Sequence, residues 1–204
     1  MMPRLPFLIL ACCLLLALQS KDRENASATA QQEDSFWVAG YSIRTNNADE
    51  VSGRGRIGDL WHRFAQQDLA RSIPNRVDQS LIVVYSEYAS DERGEYGYLL
   101  GARVSSVEHL PPQLSYRSVV SGRYAVFTTA VGPRVAVLQS AWQKVWSSSP
   151  ADLGGQRAFL TDYELYDRRS ADPDHAQIEI HIGLKACQSR RRGQHPDHHR
   201  VDSS

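Results

Sequence analysis

Two stretches of this chain follow the same order of elements, and this repeated order constrains the fold more than any other feature. Each half begins with an alternating strand, continues with an amphipathic helix and ends with two further strands. Tandem units of this kind favour an α+β fold in which β-α-β-β repeats form an antiparallel sheet with two helices packed on it. The repeat is one of pattern only, since the letters of the two halves show no identity worth claiming.

The first half is recognised by a change from strand to helix periodicity. Trp37, Ala39, Tyr41 and Ile43 alternate along the opening strand, and the following helix carries an apolar stripe that includes Trp61. The predicted elements are a strand at 36–45, a loop at 49–55, a helix at 57–70 and a hairpin of strands at 80–88 and 96–104.

The second half repeats this order with its own signals. Pro133 suits the first turn of a helix, and Trp142 lies on the apolar stripe of that helix. In the last strand, isoleucines alternate with Glu179, His181 and Gly183, so we expect one buried face. The predicted elements are strands at 113–120 and 122–130, a helix at 133–147, and strands at 158–166 and 177–185.

Composition narrows the function classes. Hydrophobic residues make up 42% of the 204 residues, which is enough for a packed core. Lysine plus arginine equals aspartate plus glutamate, at 23 each, and a nucleic-acid binder normally shows a basic excess. We therefore expect no nucleic-acid partner. Of the three cysteines only Cys187 lies beyond the N-terminal apolar run, so a processed product has no intrachain disulfide.

The N-terminal 30 residues are typical of a secretory signal peptide. Arg4 precedes an apolar run at 5–18, which is shorter than the about 20 residues needed to span a bilayer. Small residues then favour cleavage after Ala30, or alternatively after Ala28. We predict an exported protein, periplasmic or secreted, with no other contact to membranes and with a short linker at 31–35.

Two other interpretations of the leader stay open. The triplet Leu10-Ala11-Cys12 resembles a lipoprotein cleavage box, although the apolar run continues past Cys12. The leader can also be an uncleaved anchor or the product of a misassigned start codon. At the other end, the segment 186–204 is basic, histidine-rich and without apolar periodicity, which predicts a disordered tail.

Common catalytic and metal-binding signatures are absent from the sequence. His62 is expected to be an exposed ring on the first helix, and His181 is expected either to face solvent or to line a cavity. The tail histidines 195, 198 and 199 lack the cysteine or carboxylate spacing of a metal site. We predict no metal and no cofactor.

Glu164 is the most informative single residue, because it interrupts an aromatic and aliphatic strand. A buried carboxylate needs solvent, a partner or a cationic ligand. It can simply point to water together with Asp162 and Tyr166. Alternatively, it lies at the floor of an aromatic pocket, where it meets a cation that the ring faces also attract. The candidate walls of that pocket are Trp61, Tyr85, Tyr98 and Tyr166.

A series of short motifs runs through both halves of the chain. Those in the first half are Ile57-x-x-Leu60-Trp61-x-x-Phe64, Val84-Tyr85, Asp91, Gly94, Tyr96-x-Tyr98 and Gly101. Those in the second half are Gly122-x-Tyr124-Ala125-Val126-Phe127, Gly132, Trp142, Asp162-Tyr163-Glu164-x-Tyr166-Asp167, Asp172-Pro173 and Ile178-Glu179-Ile180-x-Ile182-x-Leu184-Lys185. Through these motifs, over about residues 36–185, the chain resembles the GyrI-like effector-binding domains, the ligand modules of Rob- and BmrR-type regulators, and in particular the stand-alone integron-cassette members.

The resemblance implies pseudo-twofold symmetry, a ligand cleft between the halves, and binding of hydrophobic, often cationic, compounds with Glu164 reading the charge. His181 and Gly183 depart from the tyrosine and proline usual in the family's last strand, and no DNA-binding helix-turn-helix is found before the domain. We therefore predict a monomeric, non-enzymatic protein that binds small amphipathic or cationic molecules.

Two alternatives belong to other function classes. One is a hydrolase of strained electrophiles, which needs a second polar group such as Tyr85, Tyr98 or His181 within hydrogen-bond reach of Glu164. The other is a protein-interaction or inhibitor module, which needs an exposed apolar patch rather than a deep cleft.

Overall fold

The computed structural model describes residues 28–186 as one eight-stranded antiparallel sheet with helices packed on it. This confirms the predicted α+β class. The strands are β1 (Thr29–Glu33), β2 (Phe36–Thr45), β3 (Leu81–Ser86), β4 (Tyr96–Val104), β5 (Ser115–Val119), β6 (Gly122–Thr128), β7 (Arg157–Tyr166) and β8 (Glu179–Leu184). The predictions for most of the leader and for nearly all of the tail lie outside the described residues.

The structure contains four α-helices among the described residues: α1 (Asn47–Val51), α2 (Ile57–Gln66), α3 (Arg134–Ser147) and α4 (Pro150–Leu153). The two longer ones, α2 and α3, are those that the apolar stripes in the sequence predict. Leu60 and Phe64 are the buried residues of α2, and Trp142 and Val145 are those of α3. Within residues 28–186 no helix is both long enough and apolar enough to cross a membrane.

The central pairing of the sheet, β3 with β7, joins the two halves of the chain, which also pair at β2–β5 and β1–β6. The strand order is β1-β6-β8-β7-β3-β4-β2-β5, so β3 and β7 lie at the centre of the sheet. Val83 lies opposite Glu164, and Tyr85 lies opposite Asp162. Because side chains alternate along a strand, these four residues share one face of the sheet. This register places Glu164 at the junction of the two halves.

Hydrophobic residues fill both faces of the sheet. On the helix-covered face, one cluster packs around α2 and a second packs around α3. On the opposite face, a third cluster contains Ile82, Val84 and Tyr163, which alternate in sequence with residues of the first face. Tyr85 of β3 and Glu164 of β7 lie on the helix-covered face, where Glu164 contacts Trp142 of α3.

The sequence predicted a linker at 31–35, but the structure places most of that segment in β1. Residues Thr29–Glu33 pair with β6 through their backbones, and their side chains are mostly exposed, so no apolar alternation marks the strand. The predicted cleavage point after Ala30 falls inside β1, whereas the alternative point after Ala28 precedes it.

The predicted loop at 49–55 is also partly wrong, because α1 occupies Asn47–Val51. Asn46 begins this helix by accepting a hydrogen bond from the Asp49 backbone N–H at 2.9 Å. A helix of one turn has too few residues to show a periodicity, so a cap is its only sequence signal.

Candidate functional site

A cavity of about 540 Å³ lies over the central strands, between α2 and α3. Its walls are mainly aromatic, with four charged side chains among them. The residues that line it are Asn47, Glu50, Val51, Ile57, Gly58, Trp61, Tyr85, Tyr88, Glu92, Tyr96, Tyr98, Arg134, Val135, Leu138, Gln139, Trp142, Trp146, Arg157 and Tyr166. A cavity of this size and character is typical of a small-molecule site.

Glu164 lies beneath this cavity and is 0% exposed. Its Oε1 accepts hydrogen bonds from the Tyr85 hydroxyl at 2.8 Å and from the Trp142 indole N–H at 2.6 Å. Its Oε2 accepts a hydrogen bond from the Tyr166 hydroxyl at 2.7 Å. The three donors all line the cavity, so Glu164 stands directly behind its aromatic wall. No cation of the described residues forms a salt bridge with it.

Burial raises the pKa of Glu164 above 4.5, although the hydrogen bonds from Tyr166, Trp142 and Tyr85 act in the opposite direction. Loss of hydration outweighs three donors because burial disfavours the charged form. Burial and the Glu164 charge also raise the pKa of the Tyr85 and Tyr166 hydroxyls, so both stay protonated and able to donate. When it is ionised, the Glu164 carboxylate has no cation of the described residues within salt-bridge distance.

All five predicted site residues lie together in the structure. Tyr85 packs edge-to-face against Tyr98, with ring centroids 5.2 Å apart. Trp61 donates from its indole N–H to the Tyr98 hydroxyl at 2.7 Å, and its ring lies 5.1 Å from that of Tyr166. Trp61, Tyr85, Tyr98 and Tyr166 line the cavity, while Glu164 lies just behind them. The alternative in which Glu164 points to water is wrong, because α3 covers it.

Trp142 is a site residue that the sequence placed on the apolar stripe of its helix and not among the candidate walls of the pocket. Its indole N–H donates to Glu164, and its ring packs edge-to-face on Tyr85 at 4.9 Å. The signal available in the sequence was the chemistry of the side chain, since a buried indole N–H usually has a partner. Nothing in the spacing of the residues identifies that partner as a glutamate 22 positions later.

A second polar cluster lies at one end of the cavity. Asp162 is 0% exposed and accepts hydrogen bonds from Arg157 and from the Tyr88 hydroxyl, both at 2.7 Å, and from the Gly183 backbone N–H at 2.8 Å. The Arg157 side chain is 10% exposed, and its contact with Glu92 is longer, at 3.8 Å. Asp162 therefore neutralises the charge of Arg157 and links its own strand β7 by hydrogen bonds to Tyr88 and to Gly183 of β8.

His181 does not face solvent, so that expectation is wrong, and it does not line this cavity. Its ring stacks on Tyr163 at 4.1 Å on the opposite face of the sheet, and its Nδ1 lies 2.6 Å from a carboxylate oxygen of Glu33. Tyr163 donates to the same carboxylate at 2.6 Å. His62 is exposed on α2. The described part of the chain contains no group of three metal-ligating side chains.

The hydrolase alternative requires a second polar group within hydrogen-bond reach of Glu164, and one of the three named candidates meets this requirement. Tyr85 is within hydrogen-bond reach of Glu164, whereas Tyr98 bonds to Trp61 and His181 lies on the other face. Exposed aromatic residues also occur on the surface, where Trp37 and Tyr116 pack edge-to-face. They lie on β2 and β5, away from the cavity.

Comparison with protein families gives a match over residues 30–184 to the model described as integron-associated effector binding protein. The matched region spans every strand and helix described above except the first residue of β1. It covers about three quarters of the chain.

Individual relatives agree with this match. The regulator-like protein YobU of Bacillus subtilis is 32% identical over 148 residues, covering 72% of this chain and 91% of YobU. The crystal structure of an integron cassette protein of Vibrio cholerae has a TM-score of 0.63 at 26% identity, covering 79% of this chain and 98% of that one. SAV2435 bound to tetraphenylphosphonium has the same fold, with a TM-score of 0.62 at 16% identity over 78% of this chain and 93% of that one.

Proposed function

This chain belongs to the family of integron-associated effector-binding proteins, and we propose that it binds hydrophobic cationic molecules in the aromatic cavity, without catalysis, with Glu164 reading the charge. The family binds small-molecule effectors, and the predicted GyrI-like relationship is confirmed. Glu164 is the residue on which the selectivity for cations depends.

The observation that carries this proposal is the uncompensated carboxylate behind an aromatic wall. Glu164 has three neutral donors and no salt-bridge partner among the described residues. A cation placed over the rings of Tyr85 and Trp142 gains attraction from the ring faces and from this charge. The attraction is stronger than at a surface because little water remains to screen it. A neutral ligand of similar shape gains only the apolar contact.

Glu164→Gln is therefore expected to weaken cationic ligands by about 1.5–3 kcal/mol, which is roughly 10- to 150-fold in Kd, and to leave neutral ligands nearly unchanged. The amide keeps the shape, and its oxygen still accepts from Tyr85 and Trp142. Titration calorimetry with tetraphenylphosphonium as the cation and triphenylphosphine oxide as the neutral probe measures both effects. Glu95→Gln is the matched control, because Glu95 is an exposed glutamate outside the cavity lining.

Three results contradict the proposal in different ways. Equal losses for the two probes mean that Glu164 only supports the cavity wall. No loss for either probe means that the charge of Glu164 does not contribute to ligand binding. Absence of tetraphenylphosphonium binding by the unmodified protein removes the cationic ligand class itself.

Cation binding is also expected to depend on pH. Only the ionised carboxylate attracts a cation, and burial raises the pKa of Glu164 above 4.5. Affinity for tetraphenylphosphonium should therefore rise as pH increases from about 4.5 through this raised pKa, by at most about tenfold per pH unit for one proton. The other acidic residues near the cavity are Glu50, Glu92 and Asp162, so the decisive comparison is the loss of this slope in Glu164→Gln.

Stability of the empty protein should change in the opposite direction over the same pH range. A carboxyl group whose pKa is higher when folded binds more protons in the folded state, so its contribution to stability falls as pH rises through that range. Glu164→Gln removes this fall. Urea unfolding at several pH values checks it, and a steeper fall in the variant contradicts the assignment.

Hydrolysis of strained electrophiles is a second candidate function, supported by the 2.8 Å contact between Tyr85 and Glu164. Burial raises the pKa of Glu164, which is the direction that general-base catalysis requires of a carboxylate. Against it, Glu164 is fully buried and each oxygen already accepts from a protein donor, so an attacking water needs one of them to move. Incubation with small epoxides followed by mass spectrometry separates the functions, because turnover that Glu164→Gln abolishes requires an enzyme.

A further inference from the structure

A second cavity of about 540 Å³ adjoins the first. Its lining residues are Trp61, Gln79, Ser80, Leu81, Arg134, Tyr166, Asp167, Arg168, Ser170 and Ala171. Trp61, Tyr166 and Arg134 line both cavities, so these three side chains form the partition between them. A ligand group that passes this partition contacts Arg134 on its way.

Arg134 is a cation with unused hydrogen-bond donors. One terminal nitrogen donates to the Ser170 carbonyl at 2.9 Å, while the Nε–H is buried and has no partner among the described residues. No described carboxylate lies within salt-bridge distance of this guanidinium. A partly buried guanidinium without a counter-charge is costly, since its donors fit a carboxylate or phosphate in a fork.

The second cavity has an excess of positive charge. Arg168, which also lines it, forms no salt bridge within the described residues. The single carboxylate of the lining, Asp167, is held by Arg169 at 2.8 Å and also accepts from the Arg169 backbone N–H. The first cavity thus has an unbalanced negative charge at Glu164, and the second has unbalanced positive charges at Arg134 and Arg168.

We propose that the two cavities form one site for aromatic cations that also carry an acidic group, such as a carboxylate, with Arg134 binding that group at the partition. The cationic half of this inference rests on the proposed function. The acidic half rests on Arg134 alone, and it distinguishes zwitterionic amphiphiles from simple lipophilic cations. Tyr166 stands between the two charges, because it donates to Glu164 and lines both cavities.

Rhodamine B and its ethyl ester provide a matched pair of probes, because they share one cationic ring system and differ by a free carboxylate. We expect the unmodified protein to bind rhodamine B more tightly than the ester in fluorescence titrations. Arg134→Gln should weaken rhodamine B by about tenfold or more, the size of a charge-assisted hydrogen bond, and should change the ester less than about twofold. Arg63→Gln, an exposed arginine on α2 outside both cavities, is the control.

Arg134→Lys guards against a simple loss of structure at the start of α3. It keeps the charge and removes the planar fork, so it should restore part of the preference for rhodamine B. Thermal melts of all variants report whether the fold is intact.

Each remaining outcome contradicts a defined part of the proposal. Equal weakening of both dyes by Arg134→Gln, or weakening of neither, overturns the role of Arg134. Ester binding without a preference for rhodamine B in the unmodified protein overturns the inference and leaves the cation site standing. Failure of both dyes to bind overturns the proposed function together with this inference.

Discussion

Asp162→Ala is expected to lower the free energy of unfolding by about 3–5 kcal/mol, because it leaves the guanidinium of Arg157 buried without its partner. The Asp162 carboxylate is 0% exposed, and it also holds the Tyr88 hydroxyl and the Gly183 backbone N–H. The 3.8 Å contact of Arg157 with Glu92 is too long to replace the 2.7 Å bond. Equilibrium urea unfolding measures the difference.

Two controls show whether the cost comes from the stranded charge. Glu95→Ala breaks an exposed pair with Arg44, and such pairs contribute under about 1 kcal/mol. In the double variant Asp162→Ala/Arg157→Met no charge is left behind, so it should recover part of the loss. A loss for Asp162→Ala as small as that of Glu95→Ala contradicts the role assigned to this cluster.

Trp142→Ala is expected to cost about 3–5 kcal/mol of stability, as large aromatic truncations in a core do. The ring is 8% exposed, packs on Tyr85 and donates to Glu164 at 2.6 Å. Truncation therefore opens a void and removes one of the three donors that stabilise a buried carboxylate. Chemical denaturation monitored by far-ultraviolet circular dichroism gives the change without depending on tryptophan emission.

Trp146→Ala is the matched control, since Trp146 lies one turn further along α3 and is 45% exposed. We expect that change to stay near 0.5 kcal/mol. The sequence placed both Trp61 and Trp142 on apolar helix stripes, and placed Trp61 also among the candidate walls of the pocket. In the structure Trp61 is only partly buried and lines the cavity, so Trp61→Ala should cost clearly less. Equal losses for Trp142→Ala and Trp146→Ala contradict the burial of Trp142.

Periodicity predicted the elements that bury a face. The strand at 36–45 and the hairpin strand at 96–104 have the predicted bounds, and α3 begins one residue after the predicted start. The sequence did not predict β1, α1 and α4. The strand β1 is stabilised by backbone pairing and the short helices by capping residues, so none of the three shows an apolar periodicity in the sequence. The helix predicted to reach residue 70 ends at Gln66, and a 3₁₀ turn follows at Leu69–Ser72.

The candidate site could be predicted as a set of residue types but not as a network. Glu164 attracts notice because a carboxylate in an aromatic strand needs an explanation, and the tyrosines near it share strand faces with it. The Trp142 bond and the unpaired state of Arg134 depend on how α3 lies across the sheet. Helix packing of this kind is decided by tertiary contacts, which the spacing of residues in one helix does not contain.

The strand order has a consequence for how the chain folds. Apart from each other, β7 and β8 pair with strands from much earlier in the chain, β3 and β6. Glu33 in β1 contacts His181 in β8 across a sequence separation of 148 residues. Pairings between such distant segments form late and make folding slow. During synthesis β1, β3 and β6 each emerge before a strand with which they pair, namely β6, β7 and β8 respectively. The sheet is therefore complete only after β8 has been synthesised. Until then its unpaired strand edges are the part of the molecule most prone to aggregate.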